Sequence, residues 1–89
     1  MELEIAILRE NKMIGDFRIS PNEDLDLYLR SHERGEGDDQ WFYISNLKQK
    51  EITKIQKLCK TEEEKELFGE LKEDDTLDII LHHYVYIKR

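Results

Sequence analysis

Ser20-Pro21-Asn22-Glu23-Asp24-Leu25-Asp26-Leu27-Tyr28-Leu29-Arg30 admits two readings, and the choice between them sets the number of strands in the fold. Its opening resembles a helix start: Ser20 can cap, Pro21 suits the first helical position, and Glu23 stands where a capping box needs an acid. Gly35 would then end that helix. Against this, Leu25, Leu27 and Leu29 alternate strictly with Asp24, Asp26, Tyr28 and Arg30. Such a row falls on one side of a strand but on nearly opposite sides of a helix. The period favours a strand, with the helix as the alternative.

Working outward, Leu3, Ile5 and Ile7 alternate with Glu2, Glu4 and Ala6, the pattern of a strand over residues 2 to 9 with one buried face. Arg9-Glu10-Asn11-Lys12 is short and polar, and the apolar pattern resumes from Met13 to Ile19 with Phe17 and Ile19 on one side. A β-hairpin is expected. Residues 35 to 39 read as a loop from their two glycines and three acids. Gln40 to Ser45, holding Trp41, Phe42, Tyr43 and Ile44, reads as a central strand.

From Asn46 the period changes. Leu47, Ile52, Ile55, Leu58 and Cys59 fall near one helical face, with Lys48, Lys50, Lys54, Lys57 and Lys60 around the rest. Thr61-Glu62-Glu63-Glu64 looks like a new cap, so two helices, or one sharply bent, are expected over residues 46 to 72. Residues 46 to 60 carry five lysines and one glutamate, net +4, whereas residues 61 to 75 carry eight acids and two lysines, net −6. Lysines late in the first helix and glutamates early in the second complement the backbone dipole. Thr76 to Lys88 reads as a long strand paired on both edges: Leu77, Ile79, Leu81, His83, Val85 and Ile87 form one row and Asp78, Ile80, His82, Tyr84 and Tyr86 the other.

The expected fold is therefore α+β: one domain over residues 1 to 89, a mainly antiparallel sheet of about five strands, and one or two helices on one face. At 89 residues a chain hides only about 60% of its unfolded surface, enough for one modest core but not for a deep substrate cavity. Charged residues make up 39% and hydrophobic ones 38%, and the apolar positions are patterned rather than scattered.

Twenty-one acids against fourteen bases give a formal charge of −7. Affinity for phosphate backbones comes from many Lys and Arg contacts, so the balance argues against direct nucleic-acid binding and for a basic protein partner. A lone cysteine signals neither a disulfide framework nor a cysteine metal cluster. Acids at Glu2 and Glu4, with no apolar run near the roughly 20 residues of a membrane span, make a cytoplasmic location the expectation.

Enzymatic constellations are thin. His82 and His83 are adjacent, so on a strand they point to opposite faces and cannot share a metal ion. His32-Glu33 lacks a second histidine at zinc-helix spacing, and Gly35-Glu36-Gly37 lacks the remaining parts of a phosphate loop. Cys59 sits on the apolar stripe as a small buried hydrophobe. No catalytic residue, cofactor or metal is assigned, and no enzyme activity is expected.

The sheet face left open by the helices is more informative. Tyr28, Arg30, His32, Trp41, Tyr43, His82, Tyr84 and Tyr86 alternate with the core leucines and isoleucines, and Tyr, Trp and Arg dominate binding hot spots. Cross-strand aromatic ladders that only stabilise the sheet are the plainer explanation. Single-stranded RNA would suit the rings, but the first 45 residues hold eleven acids to five bases. Glu33, Glu36, Asp38 and Asp39 are the carboxylates expected to imitate phosphates, although acidic runs commonly serve solubility and helix capping.

In size, acidity and lack of catalytic motifs the chain resembles the loose class of phage and plasmid inhibitors of host nucleases, anti-restriction and anti-CRISPR proteins among them; the resemblance is one of composition. It implies an inhibitor or immunity-type protein that blocks a partner's basic, nucleic-acid-binding surface. Partner contacts are expected from Tyr28, Arg30, Glu33, Glu36, Asp38, Asp39, Trp41, Tyr43, His82, Tyr84 and Tyr86. A homodimer joined through the aromatic face is the alternative.

Overall fold

The computed structural model describes residues 2–33 and 40–82. Strand β1 (Glu2–Arg9) turns into β2 (Lys12–Ile19) through Glu10 and Asn11, both at positive φ (52° and 67°). Two successive left-handed residues make the tight turn whose twist matches that of the flanking strands. Leu3 faces Ile19 and Ile5 faces Phe17, and the register slips between Ile7 and Leu8, leaving Ile14 as the extra residue of a bulge.

The ambiguous stretch is a helix, α1 (Glu23–Arg30). This corrects the strand expectation: Leu25 and Leu29, one helical turn apart, are fully buried, while Leu27 between them is 61% exposed. The cap is Asn22 rather than Ser20. Its Oδ1 accepts from the backbone N–H groups of Asp24 and Leu25 at 3.0 and 3.2 Å, satisfying donors that a helix start leaves open.

Strand β3 (Trp41–Ile44) follows, then α2 (Gln49–Leu58), α3 (Glu62–Phe68) and β4 (Thr76–His82). Among the described residues the sheet has four antiparallel strands in the order β2-β1-β4-β3, where about five were expected, and three helices accompany it where one or two were expected. As expected, β4 is paired on both edges over Thr76–His82, the expected continuation to Lys88 lying outside the described residues, but β3 lies at the margin rather than the centre. Its aromatic run splits by alternation: Phe42 and Ile44 are buried, Trp41 and Tyr43 are exposed.

The helical period breaks between α2 and α3 where the sequence lapses. Thr61 Oγ1 accepts from the Glu64 backbone N–H at 3.1 Å, and α3 ends at Gly69, where a Cβ would lie 2.7 Å from the Lys65 carbonyl oxygen. One core cluster joins Leu3, Ile5 and Ile7 of β1, Phe42 and Ile44 of β3 and Leu77, Ile79 and Leu81 of β4 to Leu25, Leu29, Ile52, Ile55 and Phe68 of the helices. Helices thus cover one sheet face and leave the other open.

Two buried carboxylates hold this arrangement together. Glu64 Oε1 accepts from the Asn22 side-chain amide and the backbone N–H groups of Lys60 and Thr61 at 2.7, 2.8 and 3.1 Å, and Oε2 accepts from the Asn22 backbone N–H at 2.7 Å. Asn22 Nδ2 also donates to the Leu58 carbonyl at 3.0 Å, so this pair ties the start of α1 to the junction of α2 and α3. Burial pushes the Glu64 carboxyl up, but the donors from Lys60, Asn22 and Thr61 outweigh it and hold it at about 2. Asp75, fully buried, takes a bidentate contact from Arg9 Nε and Nη2, both at 2.9 Å, and the Lys72 backbone N–H at 2.9 Å. Arg9 foremost keeps its carboxyl below the usual range against the pull of burial. Both acids belonged to runs that composition alone would assign to solvent.

Candidate functional site: the open face of the sheet

On the open face the registers define two cross-strand rows. One runs Arg18, Glu4, Ile80, Trp41 from β2 to β3, and the next runs Asp16, Ala6, Asp78, Tyr43. Glu2 and His82 pair at the end of β1 and β4. Alternation in all four strands puts these residues opposite the core row, so the face is charged toward β2 and aromatic toward β3.

Trp41 and Tyr43, two residues apart on β3, make an edge-to-face contact with centroids 4.9 Å apart at 84°. They are 51% and 50% exposed, and Ile80 beside Trp41 is also exposed. The contact fixes the two rings against each other while leaving half of each to solvent, as a hot-spot anchor requires.

At the charged side, His82 Nε2 lies 3.0 Å from Glu4 Oε1, and Arg18 Nη2 lies 3.0 Å from His82 Nδ1 and 2.9 Å from Nε2. The His82 hydrogen bond foremost lowers the Glu4 carboxyl, with the Arg18 charge adding to it. Desolvation and then the Glu4 charge raise Asp16, while desolvation followed by the charges of Asp16 and Glu4 raises Asp78. Among the described residues, four carboxylates, Glu2, Glu4, Asp16 and Asp78, thus share this face with the one guanidinium of Arg18. Like charges held this close favour an approaching cation.

Of the residues named from sequence, the structure brings Trp41, Tyr43 and His82 together on this face. It places Tyr28 and Arg30 on α1 and His32 and Glu33 just after it, in the helical layer. That placement follows from the coil of residues 23 to 30, which removes Tyr28, Arg30 and His32 from any strand row. Tyr28 instead packs edge-on against His32, centroids 5.0 Å apart, and Arg30 Nε donates to Asp26 at 3.1 Å. Glu36, Asp38, Asp39, Tyr84 and Tyr86, and with them His83, lie outside the described residues.

Sequence reasoning passed over Glu2, Glu4, Asp16, Arg18, Asp78 and Ile80 as contact residues. The signal was present, since each alternates with a core residue in its own strand. Weight given to aromatic side chains hid it.

Cys59 is buried, its thiol 3.3 Å from the Ile55 carbonyl oxygen, and burial foremost pushes its pKa up to about 11. A thiol so placed stays protonated at neutral pH. Among the described residues no three His, Cys, Asp or Glu side chains are grouped to hold a metal ion, and no helix is long and apolar enough to cross a membrane. Comparison with protein-family models, curated proteins and solved structures finds no match for this chain.

Proposed function

We propose that this protein binds another protein through the open sheet face and covers a basic, nucleic-acid-binding surface on it, as an inhibitor or immunity-type protein would. The observation that carries the reading is the half-exposed Trp41–Tyr43 pair standing beside four carboxylates on one rigid sheet. Carboxylates on alternate strand residues stand about 7 Å apart, and those on adjacent strands about 5 Å apart, close to the scale on which charge repeats along a phosphate backbone. The rings supply desolvated anchor area and the acids steer the encounter, which makes association fast and salt-sensitive.

A second reading, pairing with another copy of the chain, rests on the sheet edge. Among the described residues β3 pairs only with β4, and Gln40 to Ser45 carries no charge. The opposite edge, β2, has a bulge together with Lys12, Asp16 and Arg18, devices that discourage strand addition.

Capture from host lysate with four forms of the protein tests the proposal: wild type, Trp41→Ala/Tyr43→Ala, Asp16→Asn/Asp78→Asn, and Glu62→Gln/Glu63→Gln on α3. Expected is a basic protein retained by wild type and by the α3 variant, lost with either open-face variant, released by salt, and blocked from binding nucleic acid by the purified chain. Equal retention by all four forms would overturn the proposal. A concentration-dependent dimer abolished by Trp41→Ala/Tyr43→Ala, with nothing else retained, would establish self-pairing instead.

A further inference from the structure

The helical layer carries a feature that the open face does not use. Tyr28 of α1 and Lys50, Glu51, Thr53, Lys54 and Lys57 of α2 line a groove of about 370 Å³, within the usual size range of small-ligand sites. Lysine positions 50, 54 and 57 are spaced by four and three residues, so their side chains rise from one helical face. Among the described residues these three form no salt bridge, whereas Lys60 at the other end of α2 pairs with Asp24 at 2.7 Å.

Helix stability does not account for them all. Lys50 sits in the first turn of α2, two residues after the cap residue Lys48, where the backbone dipole disfavours a cation. The one acid of the groove, Glu51, is engaged locally: Oε1 accepts from the Lys48 backbone N–H at 2.8 Å, and Oε2 lies 3.9 Å from His32 Nε2. In a chain of net charge −7 the groove is a local excess of positive charge beside the partly buried Tyr28, which packs against the core.

We propose that this groove binds a small phosphorylated ligand bearing an aromatic ring, the chemistry of a nucleotide, with Lys50, Lys54 and Lys57 on its phosphates and Tyr28 beneath its ring. The three lysines span eight residues of helix, a rise of about 10 Å, which is on the scale of two or three linked phosphates. A longer polymer is disfavoured because the helices run antiparallel. The Asn22 contact to Leu58 puts the acidic first turn of α1, with Glu23, Asp24 and Asp26, beside the C-terminal end of the lysine stripe. Ligand binding here is independent of the partner surface on the far side of the sheet.

The test is an amide-shift titration of the whole chain with magnesium-free ATP, with inorganic triphosphate, and with a thymidine strand of about ten nucleotides. ATP is expected to shift amides at Tyr28 and residues 50–57 saturably, more tightly than triphosphate and more tightly than the strand, and less tightly as salt rises. Lys54→Gln/Lys57→Gln, two exposed substitutions, should weaken ATP by about tenfold or more, and Lys65→Gln on α3 should leave it unchanged. The wild-type titration stands without the variants should they fold poorly. Absence of saturable shifts at these residues, or shifts centred on the sheet, overturns the site. Triphosphate binding as tight as ATP overturns the role of the ring, and preference for the strand identifies a polymer surface instead.

Discussion

Glu64 and Asp75 are sealed in the protein yet held ionised, while Asp16 and Asp78 stand on the open face with carboxyls pushed upward. Burial pushes all four carboxyls up, and only Glu64 and Asp75 have the donors to outweigh it. Four hydrogen bonds converge on Glu64 and a guanidinium faces Asp75, whereas Asp16 has the Glu4 charge nearby and Asp78 the charges of both Asp16 and Glu4. The buried pair builds the fold, whereas Asp16 and Asp78 carry a desolvation cost to which like-charge repulsion is added.

The largest test of that contrast is Glu64→Gln. The amide would turn a donor toward Asn22 or leave backbone N–H groups unpaired. A carboxyl held near 2 instead of 4.5 corresponds to roughly 3 kcal/mol of stability at neutral pH, or a melting midpoint lower by about 15 °C. Calorimetry showing a drop below about 1 kcal/mol would remove Glu64 from its structural role. Asp75→Asn should cost somewhat less, about 2 kcal/mol, because the freed Arg9 is partly exposed and can turn to water.

Acid unfolding sharpens the comparison. Glu64 and Asp75 have lowered carboxyls, so their stabilisation is complete above the ordinary carboxylate range and is lost as pH falls through it, for Glu64 between 4.5 and about 2. Asp16 and Asp78 act in reverse: their raised carboxyls weaken the fold when ionised, and protonation in mild acid removes that penalty. Urea midpoints measured from neutral to acid pH should fall steeply only in the lower part of the range, and Glu64→Gln should flatten that fall. The smallest effect belongs to Asp16→Asn/Asp78→Asn, expected to raise stability by about 0.5 kcal/mol at neutral pH and to leave it unchanged in acid. A loss of stability would show that these carboxylates make native bonds rather than repel.

Much of the fold could be read from residue order. The hairpin followed from the alternation of Leu3, Ile5 and Ile7, the break at Thr61 from the cap signature of Thr61 and Glu64, and β4 from its row of Leu77, Ile79 and Leu81. The stretch 20–30 misled because Leu25, Leu27 and Leu29 satisfy a period of two, and only packing reveals that Leu27 is left in solvent. The opening Pro21-Asn22-Glu23 was a true helix signal, but its strength comes from Glu64, forty-two residues away, whose carboxylate grips Asn22. Half of the candidate face was legible for a related reason: Trp41, Tyr43 and His82 lie on strands whose periodicity is clean, while Tyr28, Arg30 and Glu33 belong with the misread segment.

By itself, then, the order of residues determined which segments bury one side and at what period, because hydrophobic patterning is a local property. Tertiary structure alone decided which strand stands at the margin, which acids are interior, and that the lysines of α2 meet Tyr28. Those outcomes depend on donors and surfaces brought together across long stretches of chain, and no local period encodes them.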